Sequence, residues 1–193
     1  MLKFLAEELS LRLVANNIID NEDRKYYTYG IELILNDFII FIMIAVIAIA
    51  TESVLLSIVF SGCFCVLRAY TGGYHSRTYS GCIITAISNY LAMLLLIICL
   101  DDWRFITGNI LLVFSIPYIW INAPISHNNS PIKSEGRKKY KRISRIILTL
   151  MMGFYIFSAA FLSEEITFSI AWSVFATSIL MLLAVILQKR RLK

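Results

Sequence analysis

The sequence predicts an all-α polytopic membrane protein with six transmembrane helices, an N-terminal amphipathic helix at the membrane interface and both termini in the cytoplasm. Of its 193 residues, 59% are hydrophobic and only 16% are charged, whereas a soluble domain has roughly 25% charged residues. Six apolar runs follow one another along the chain, and most basic residues lie on one side of these runs. Lipid is therefore expected to cover most of the surface.

Length and cysteine usage limit the domain organisation. A chain of this length allows one membrane-embedded domain, residues 1–193. The four cysteines show no framework spacing, so no disulfide scaffold is expected. No cleavable signal peptide is expected either, because Glu7, Glu8 and Arg12 stand where its apolar core would lie.

Residues 1–19 are predicted to form the amphipathic helix. Leucines recur at helical spacing, at Leu2, Leu5, Leu9 and Leu13, with polar residues largely between them. The segment is too polar to span a membrane, so it either lies on the membrane surface or packs against the helix bundle. Residues 20–30 are predicted to form a polar connector to the first apolar run.

The six apolar runs are predicted to be transmembrane helices. Their approximate ranges are 31–50, 51–70, 81–100, 105–122, 143–162 and 166–187. A spanning helix needs about 20 apolar residues. The second run is continuously apolar only over residues 54–67, and it reaches this length when its flanking residues are included. Helices are expected because backbone groups in lipid must be hydrogen-bonded within the segment.

The distribution of Lys and Arg tests this topology independently. With the N-terminus in the cytoplasm, seventeen of the eighteen Lys and Arg residues fall on the cytoplasmic side. The opposite side receives Arg104 and the acidic residues Glu52, Asp101, Asp102, Glu164 and Glu165. The positive-inside rule therefore predicts six spans, cytoplasmic termini and a cytoplasmic position for residues 68–80.

The loop after the second run carries the candidate chemistry. Residues 68–82 contain His75, one of two histidines, and Cys82, one of four cysteines. A cysteine nucleophile with a histidine base is an arrangement used for covalent catalysis. In one unbroken helix these residues would lie about 10 Å apart, too far for proton transfer, so His75 is expected on a loop that folds back toward Cys82. Three glycines permit such a fold, namely Gly72, Gly73 and Gly81.

The environment of Cys82 favours a reactive thiol. Cys82 is expected to open the third span, where backbone amides and the helix dipole stabilise a thiolate. Arg68 and Arg77 add positive charge, and either could hold a peptide carboxylate or polarise a carbonyl. Anchoring at the membrane boundary is the alternative, and it is preferred for Arg77.

Other polar residues and cysteines receive structural interpretations. Cys63, Cys65 and Cys99 are expected to be small apolar packing residues. Asn89 could orient the histidine, although an interhelical hydrogen bond is the preferred role. The histidines and cysteines lack metal-ligand spacing, and the sequence has no phosphate-binding or dinucleotide-binding motif, so no metal or cofactor is expected.

The longest loop between runs, residues 123–142, ends in a basic cluster. One interpretation is topogenic charge that also attracts anionic lipid, worth roughly 1 kcal/mol per basic residue. The other is a docking surface for an acidic peptide segment, with Lys138, Lys139 and Lys141 among its contacts.

These motifs resemble the accessory gene regulator B (AgrB) family of membrane endopeptidases, which act in Gram-positive quorum sensing. One match comprises Arg68, Gly73, His75 and Cys82 at the family's separations. A second comprises Ala123 and Pro124, then Pro131 and Ile132, followed by the basic residues 137–142. The resemblance covers essentially the whole chain.

The resemblance implies that Cys82 is the nucleophile, that His75 is its base, and that Arg68 and Gly73 are needed for activity. The implied substrate is an AgrD-like propeptide with an amphipathic leader, a short signal segment and an acidic tail. The enzyme would remove the tail through a thioester and promote cyclisation to a thiolactone or lactone. It would act without a cofactor or nucleic acid, as a homodimer in the lipid of a Gram-positive cell membrane, with its active site on the cytoplasmic side.

Two other functions remain as alternatives. A polytopic peptide transporter or exporter without proteolytic activity is the first. Transporters usually carry ionisable residues or broken helices near the midplane, whereas Glu32 and Asp37 lie near the start of the first span and only the fourth span has a proline near its centre, Pro117. A non-catalytic scaffold is the second, and it leaves the glycine, histidine and cysteine arrangement unexplained. The signal peptide, its ring size and its export route are not predicted.

Overall fold

A computed structural model shows an all-helical chain and describes residues 2–73, 78–125 and 134–191. His75, Arg77 and residues 126–133 lie outside the described residues. The helices are α1 (Leu2–Ala15), α2 (Arg24–Ala50), α3 (Val54–Thr71), α4 (Tyr79–Leu100), α5 (Arg104–Asn122), α6 (Ser134–Phe161) and α7 (Glu164–Arg191), with a 3₁₀ turn at Asp101–Trp103. Within these ranges the extended backbone pairs only at a single bridge between Gly72 and Ile125. The all-α prediction is confirmed for the described residues.

Five helical stretches are long and apolar enough to cross a membrane. They are Arg24–Ala50, Val54–Thr71, Tyr79–Asn122, Gly136–Phe161 and Glu164–Gln188. The third stretch has 44 residues and contains α4, the 3₁₀ turn and α5. The prediction of several apolar spans therefore holds, and the six predicted runs correspond to five stretches defined by length and composition.

The helices α5 and α7 run in the same direction. Near their starts, Arg104 of α5 forms an ion pair with Glu165 of α7, with Nη1 and Oε1 3.1 Å apart. Further along, the Ser178 hydroxyl donates to the Ser115 hydroxyl over 3.1 Å. These contacts are spaced similarly along both helices, so the two helices are parallel.

The helix α4 runs in the opposite direction to α7. The Trp172 indole of α7 donates to the Asn89 side-chain oxygen of α4 over 2.7 Å, which is the interhelical role preferred for Asn89. Cys82, nearer the start of α4, lines the same cavity as Leu180, nearer the end of α7. Because α5 is parallel to α7, α4 and α5 form an antiparallel pair joined by the 3₁₀ turn.

The bundle has two ends of different charge. We call the end that holds the C-terminus of α3 and the N-terminus of α4 the basic end. The described basic residues of α2 to α6 at this end are Arg24, Lys25, Arg68, Arg137, Lys138, Lys139, Lys141, Arg142 and Arg145. The opposite end carries Glu52, Asp101, Asp102, Glu164 and Glu165 with Arg104. This asymmetry matches the charge pattern that predicted the topology.

The helix α7 lies at the centre of the bundle. In the most apolar part of α7, 56% of the residues are buried, against 17% to 28% in the corresponding parts of the other four stretches. Its buried face includes small polar residues such as Ser169, Ser173 and Thr177, which allow neighbouring helices to approach closely. Large apolar side chains on the outer helices are exposed, for example Ile98 and Phe114. That exposed apolar surface is suited to lipid.

Two helices begin earlier than the apolar runs suggested. The helix α2 begins at Arg24 within the predicted polar connector, and α6 begins at Ser134, so the basic residues 137–142 are helical rather than part of a loop. Apolar runs mark the part of a helix that faces lipid, and polar residues extend these helices beyond it. The helix α1 packs against α2, where the Thr28 hydroxyl donates to the buried Ser10 hydroxyl over 2.8 Å.

The connection after α3 is built around a glycine with a left-handed backbone. Gly72 has φ of 69°, a conformation that disfavours residues with a Cβ. The adjacent Thr71 carbonyl accepts from the Ile125 amide over 2.9 Å. A Cβ on Gly72 would collide with the Ile125 carbonyl oxygen. This glycine therefore lets the segment after α5 lie against the end of α3.

Replacing Gly72 with alanine is expected to lower the free energy of unfolding by about 1–3 kcal/mol, because the new Cβ adds strain and a backbone collision. Chemical denaturation in mixed micelles measures this change. Gly62→Ala is the matched control, since nothing lies within 4 Å of the added carbon and alanine favours a helix. Equal stability of the two variants would contradict the packing described here.

Candidate active site

A cavity of about 370 Å³ lies at the basic end of the bundle. It is lined by residues from α2, α3, α4, α6 and α7 and by Ile125. Cys82, Arg68 and Gly73, which the sequence analysis singled out, all border this cavity. The structure thus brings three of the predicted site residues together.

Cys82 lies in the first turn of α4. The Thr78 side chain caps this helix by accepting from the Gly81 amide over 3.2 Å, and the Thr78 carbonyl accepts from the Cys82 amide over 3.2 Å. The helix therefore begins at Tyr79 and not at Cys82, and the Cys82 amide is already used in the helix. The half-buried Cys82 still lies where the helix dipole favours a negative sulfur.

Arg68 reaches the same cavity from the last turn of α3. Its guanidinium lies over the Phe64 ring, 5.5 Å from the ring centroid. The same group interacts electrostatically with Cys82, Asp37 and Cys65. A guanidinium beside a cysteine is typical of sites that use a thiolate.

Asp37 is a cavity residue that the sequence analysis did not assign to the site. It lies within the apolar part of α2, borders the cavity and interacts electrostatically with Arg68. The available signal was a carboxylate inside an apolar run, which usually faces a cavity or a partner. Its position near the start of the first span entered only the comparison with a transporter.

Gly73 forms part of the cavity wall next to α7. It is buried with φ of 143°, and a Cβ at this position would lie 3.5 Å from the Leu180 carbonyl carbon. That distance is an ordinary contact, so the positive φ, rather than a lack of space, is what favours glycine here. The deeper lining is largely apolar, with Ile44, Phe60 and Phe64, which favours exclusion of water.

The remaining cysteines occupy different surroundings. Cys63 is half-buried on α3 with its thiol near the Ser173 side chain, and Cys99 is exposed. Cys65 borders the same cavity as Cys82. It therefore lines the candidate site in addition to packing within the apolar helix. Within the described ranges, no three His, Cys, Asp or Glu residues are grouped as metal ligands.

The predicted lysines do not border this cavity. Lys138 and Lys141 line a second cavity of about 450 Å³ together with other residues of α6 and Trp120 of α5. Lys139 is exposed and is not among the lining residues of either cavity. The α6 residue that does face the Cys82 cavity is Tyr140. The predicted base, His75, lies outside the described residues.

Comparisons with known proteins agree on one family. The profile of the family Accessory gene regulator B matches residues 6–184. An AgrB-like protein of Clostridium perfringens (strain SM101 / Type A) is 27% identical over 180 residues, which cover 90% of this chain and 82% of the relative.

Two further relatives match most of the chain. AgrB-like protein 2 of Clostridium perfringens (strain 13 / Type A) is 27% identical over 157 residues, covering 78% of this chain and 72% of the relative. An AgrB-like protein of Clostridium beijerinckii is 28% identical over 153 residues, which cover 77% of this chain and 74% of the relative. No solved structure shows significant similarity. The chain belongs to the accessory gene regulator B family, and this membership supports a role in processing the autoinducer of agr quorum sensing.

Proposed function

We propose that this protein is a membrane cysteine endopeptidase that removes the C-terminal tail of an AgrD-like propeptide and promotes cyclisation of the signal segment. The observation that carries this proposal is the cavity at the basic end, which Cys82 and Arg68 border together. Family membership supports a propeptide substrate of the AgrD type. The sequence match of His75 to the family motif supports its assignment as the base.

The first step is acyl transfer to the enzyme. His75 accepts the proton of the Cys82 thiol, and the sulfur attacks the carbonyl carbon of the peptide bond before the tail. The carbon–nitrogen bond then breaks, and the imidazolium returns its proton to the departing amine. The tail leaves with a free amino group, and the rest of the peptide is held on Cys82 as a thioester.

The second step is ring closure. An internal thiol or hydroxyl of the peptide attacks the thioester carbonyl, loses its proton to His75, and displaces the Cys82 sulfur, which regains a proton. The thioester retains enough acyl-transfer potential for ring closure, so this second step itself requires no activation of the acyl group. Ring closure competes with hydrolysis, and the apolar cavity lining around Phe60 and Phe64 supports it by limiting water.

Arg68 and Gly73 support the reaction in different ways. The guanidinium of Arg68 borders the same cavity as Cys82, where it can balance negative charge on the carbonyl oxygen during attack. The backbone at Gly73 has no side chain to obstruct a peptide entering beside α7. His75 follows Gly73 by two residues, and the chain between them can span at most about 7 Å.

The proposed topology has six crossings, both termini in the cytoplasm and the cavity on the cytoplasmic side. The antiparallel arrangement of α4 and α5 supports two crossings within the 44-residue stretch. The concentration of basic residues near the cavity supports the cytoplasmic position. We also propose a homodimer in a Gram-positive cell membrane, as the family resemblance implies.

A peptide transporter or exporter is the second candidate function. The observation that favours it is Asp37, an ionisable residue inside an apolar helix that borders the cavity. A transporter would not require the sulfur of Cys82. Substitution of Cys82 therefore separates the two candidates.

Cys82→Ala and His75→Ala are each expected to reduce tail release by more than about 10³-fold, because each removes a member of a pair that acts as a unit. Mass spectrometry of cells supplied with the cognate precursor measures tail release, and membrane fractionation checks insertion. Cys99→Ala, an exposed cysteine at the opposite end, is the control and should remain active. Normal tail release by Cys82→Ala would reject the cysteine mechanism.

The basic segment of α6 is proposed to attract the acidic tail of the substrate. Reversing the charges of Lys138, Lys139 and Lys141 to glutamate is expected to raise KM for the precursor by about 10-fold at low salt, since long-range attraction increases local substrate concentration. The difference should shrink at high ionic strength because salt screens exposed charges. An unchanged cleavage rate at low salt would remove this role.

A further inference from the structure

The second cavity is an open groove along α6, closed on one side by Trp120 of α5. It has a volume of about 450 Å³ and is separate from the cavity that contains Cys82. Its lining residues are Trp120, Lys138, Lys141, Arg142, Arg145, Ile146, Thr149 and Leu150. Four of these carry positive charge, and none of these lining residues is acidic.

The four cations lie on one face of α6. At 100° per residue, Lys138, Lys141, Arg142 and Arg145 fall within an arc of about 100°. Tyr140, which faces the Cys82 cavity, lies about 160° away from both Lys138 and Arg142. The groove therefore faces away from the candidate active site.

Arg145 is held in place by Trp120. Its Nε and Nη2 atoms donate to the Trp120 carbonyl oxygen over 3.4 Å and 3.2 Å, and its guanidinium lies 4.9 Å from the centroid of the Trp120 ring. This geometry orders the cation that lies next to the apolar lining residues of the groove. Tryptophan is itself enriched where a helix meets the headgroup region of a membrane.

Beyond the cations the groove becomes apolar. Ile146 and Leu150 are 51% and 68% exposed, and the apolar stripe continues along α6 through Phe157 and Phe161. Positive charge at the membrane boundary followed by exposed apolar surface matches a ligand with an anionic head and a long hydrocarbon chain. A soluble acidic peptide would not cover the apolar stripe.

We propose that this groove binds an anionic phospholipid. The phosphodiester lies among Lys138, Lys141, Arg142 and Arg145, and an acyl chain lies along Ile146, Leu150 and the stripe below them. Basic pockets between transmembrane helices bind acidic lipid headgroups by the same attraction. Lys138 and Lys141, which are proposed above to attract the substrate tail, also contact the lipid in this proposal. Lipid retention is measured without substrate, so the lipid site does not depend on the proposed enzymatic function.

The test compares two variants with the same loss of charge. Arg142→Gln with Arg145→Gln removes two groove cations, whereas Arg24→Gln with Lys25→Gln removes two cations of α2 at the same end of the bundle, outside the groove. Native mass spectrometry of the protein released from nanodiscs of phosphatidylglycerol and phosphatidylcholine counts retained lipid. The groove variant is expected to lose about 10-fold or more of its phosphatidylglycerol retention, and the control is expected to keep it.

A second groove variant distinguishes loss of lipid binding from a local packing defect, because Arg145→Gln also removes the contact with Trp120. Lys138→Gln with Lys141→Gln leaves the Arg145 and Trp120 contact intact and should reduce phosphatidylglycerol retention to a similar extent. Equal losses in the groove and control variants would overturn the site in favour of diffuse surface charge. Unchanged lipid retention in the groove variants, with loss of dimer or of acidic-peptide binding instead, would assign the groove to another occupant and overturn the proposal.

Discussion

The hydrocarbon core of a membrane offers no hydrogen-bond partners, and this constraint governs where the chain can place its charged side chains. An ionisable group on an apolar helix has to lie at a helix end, contact a partner or face a cavity. The acidic end follows this rule through Arg104, which pairs with Asp101 and Glu165. Deeper in the bundle, Asp37 and Arg68 border one cavity, and Cys82 shares it. The same requirement thus explains both the charge asymmetry and the composition of the candidate site.

The central helix α7 allows the cavity to form. Its small buried residues let α3 and α5 run alongside it, while α4 crosses in the opposite direction. The ends of α3 and α5 then meet at the bridge between Gly72 and Ile125. A glycine is needed there for steric reasons, and this turn leads directly into the segment that carries the predicted base. The packing of apolar helices and the position of the reactive residues are therefore connected.

Much of the fold could be predicted from local patterns. Apolar runs and charge placement located the helices, and the motif around Cys82 identified Arg68 and Gly73, which the cavity contains. The role of Asp37 could not be predicted, since it depends on which face of α2 meets α3 and α4. For the same reason, the sequence could not show that the basic part of α6 borders two cavities. Tyr140 and Lys138 are two residues apart in sequence, yet Tyr140 borders the Cys82 cavity and Lys138 borders the groove. Spacing shows which residues share a face, whereas only packing shows what that face contacts.

The central claim is that peptide is transferred to Cys82 within the cavity at the basic end. The most direct measurement uses a precursor whose internal ring-forming residue is replaced by alanine, so that the second acyl transfer cannot occur. After acid quenching and digestion, mass spectrometry should find the leader and signal segment attached to the Cys82 peptide, with release by hydroxylamine and no adduct in Cys82→Ala. Release of the tail without any adduct on Cys82, or an adduct on another residue, would contradict the account.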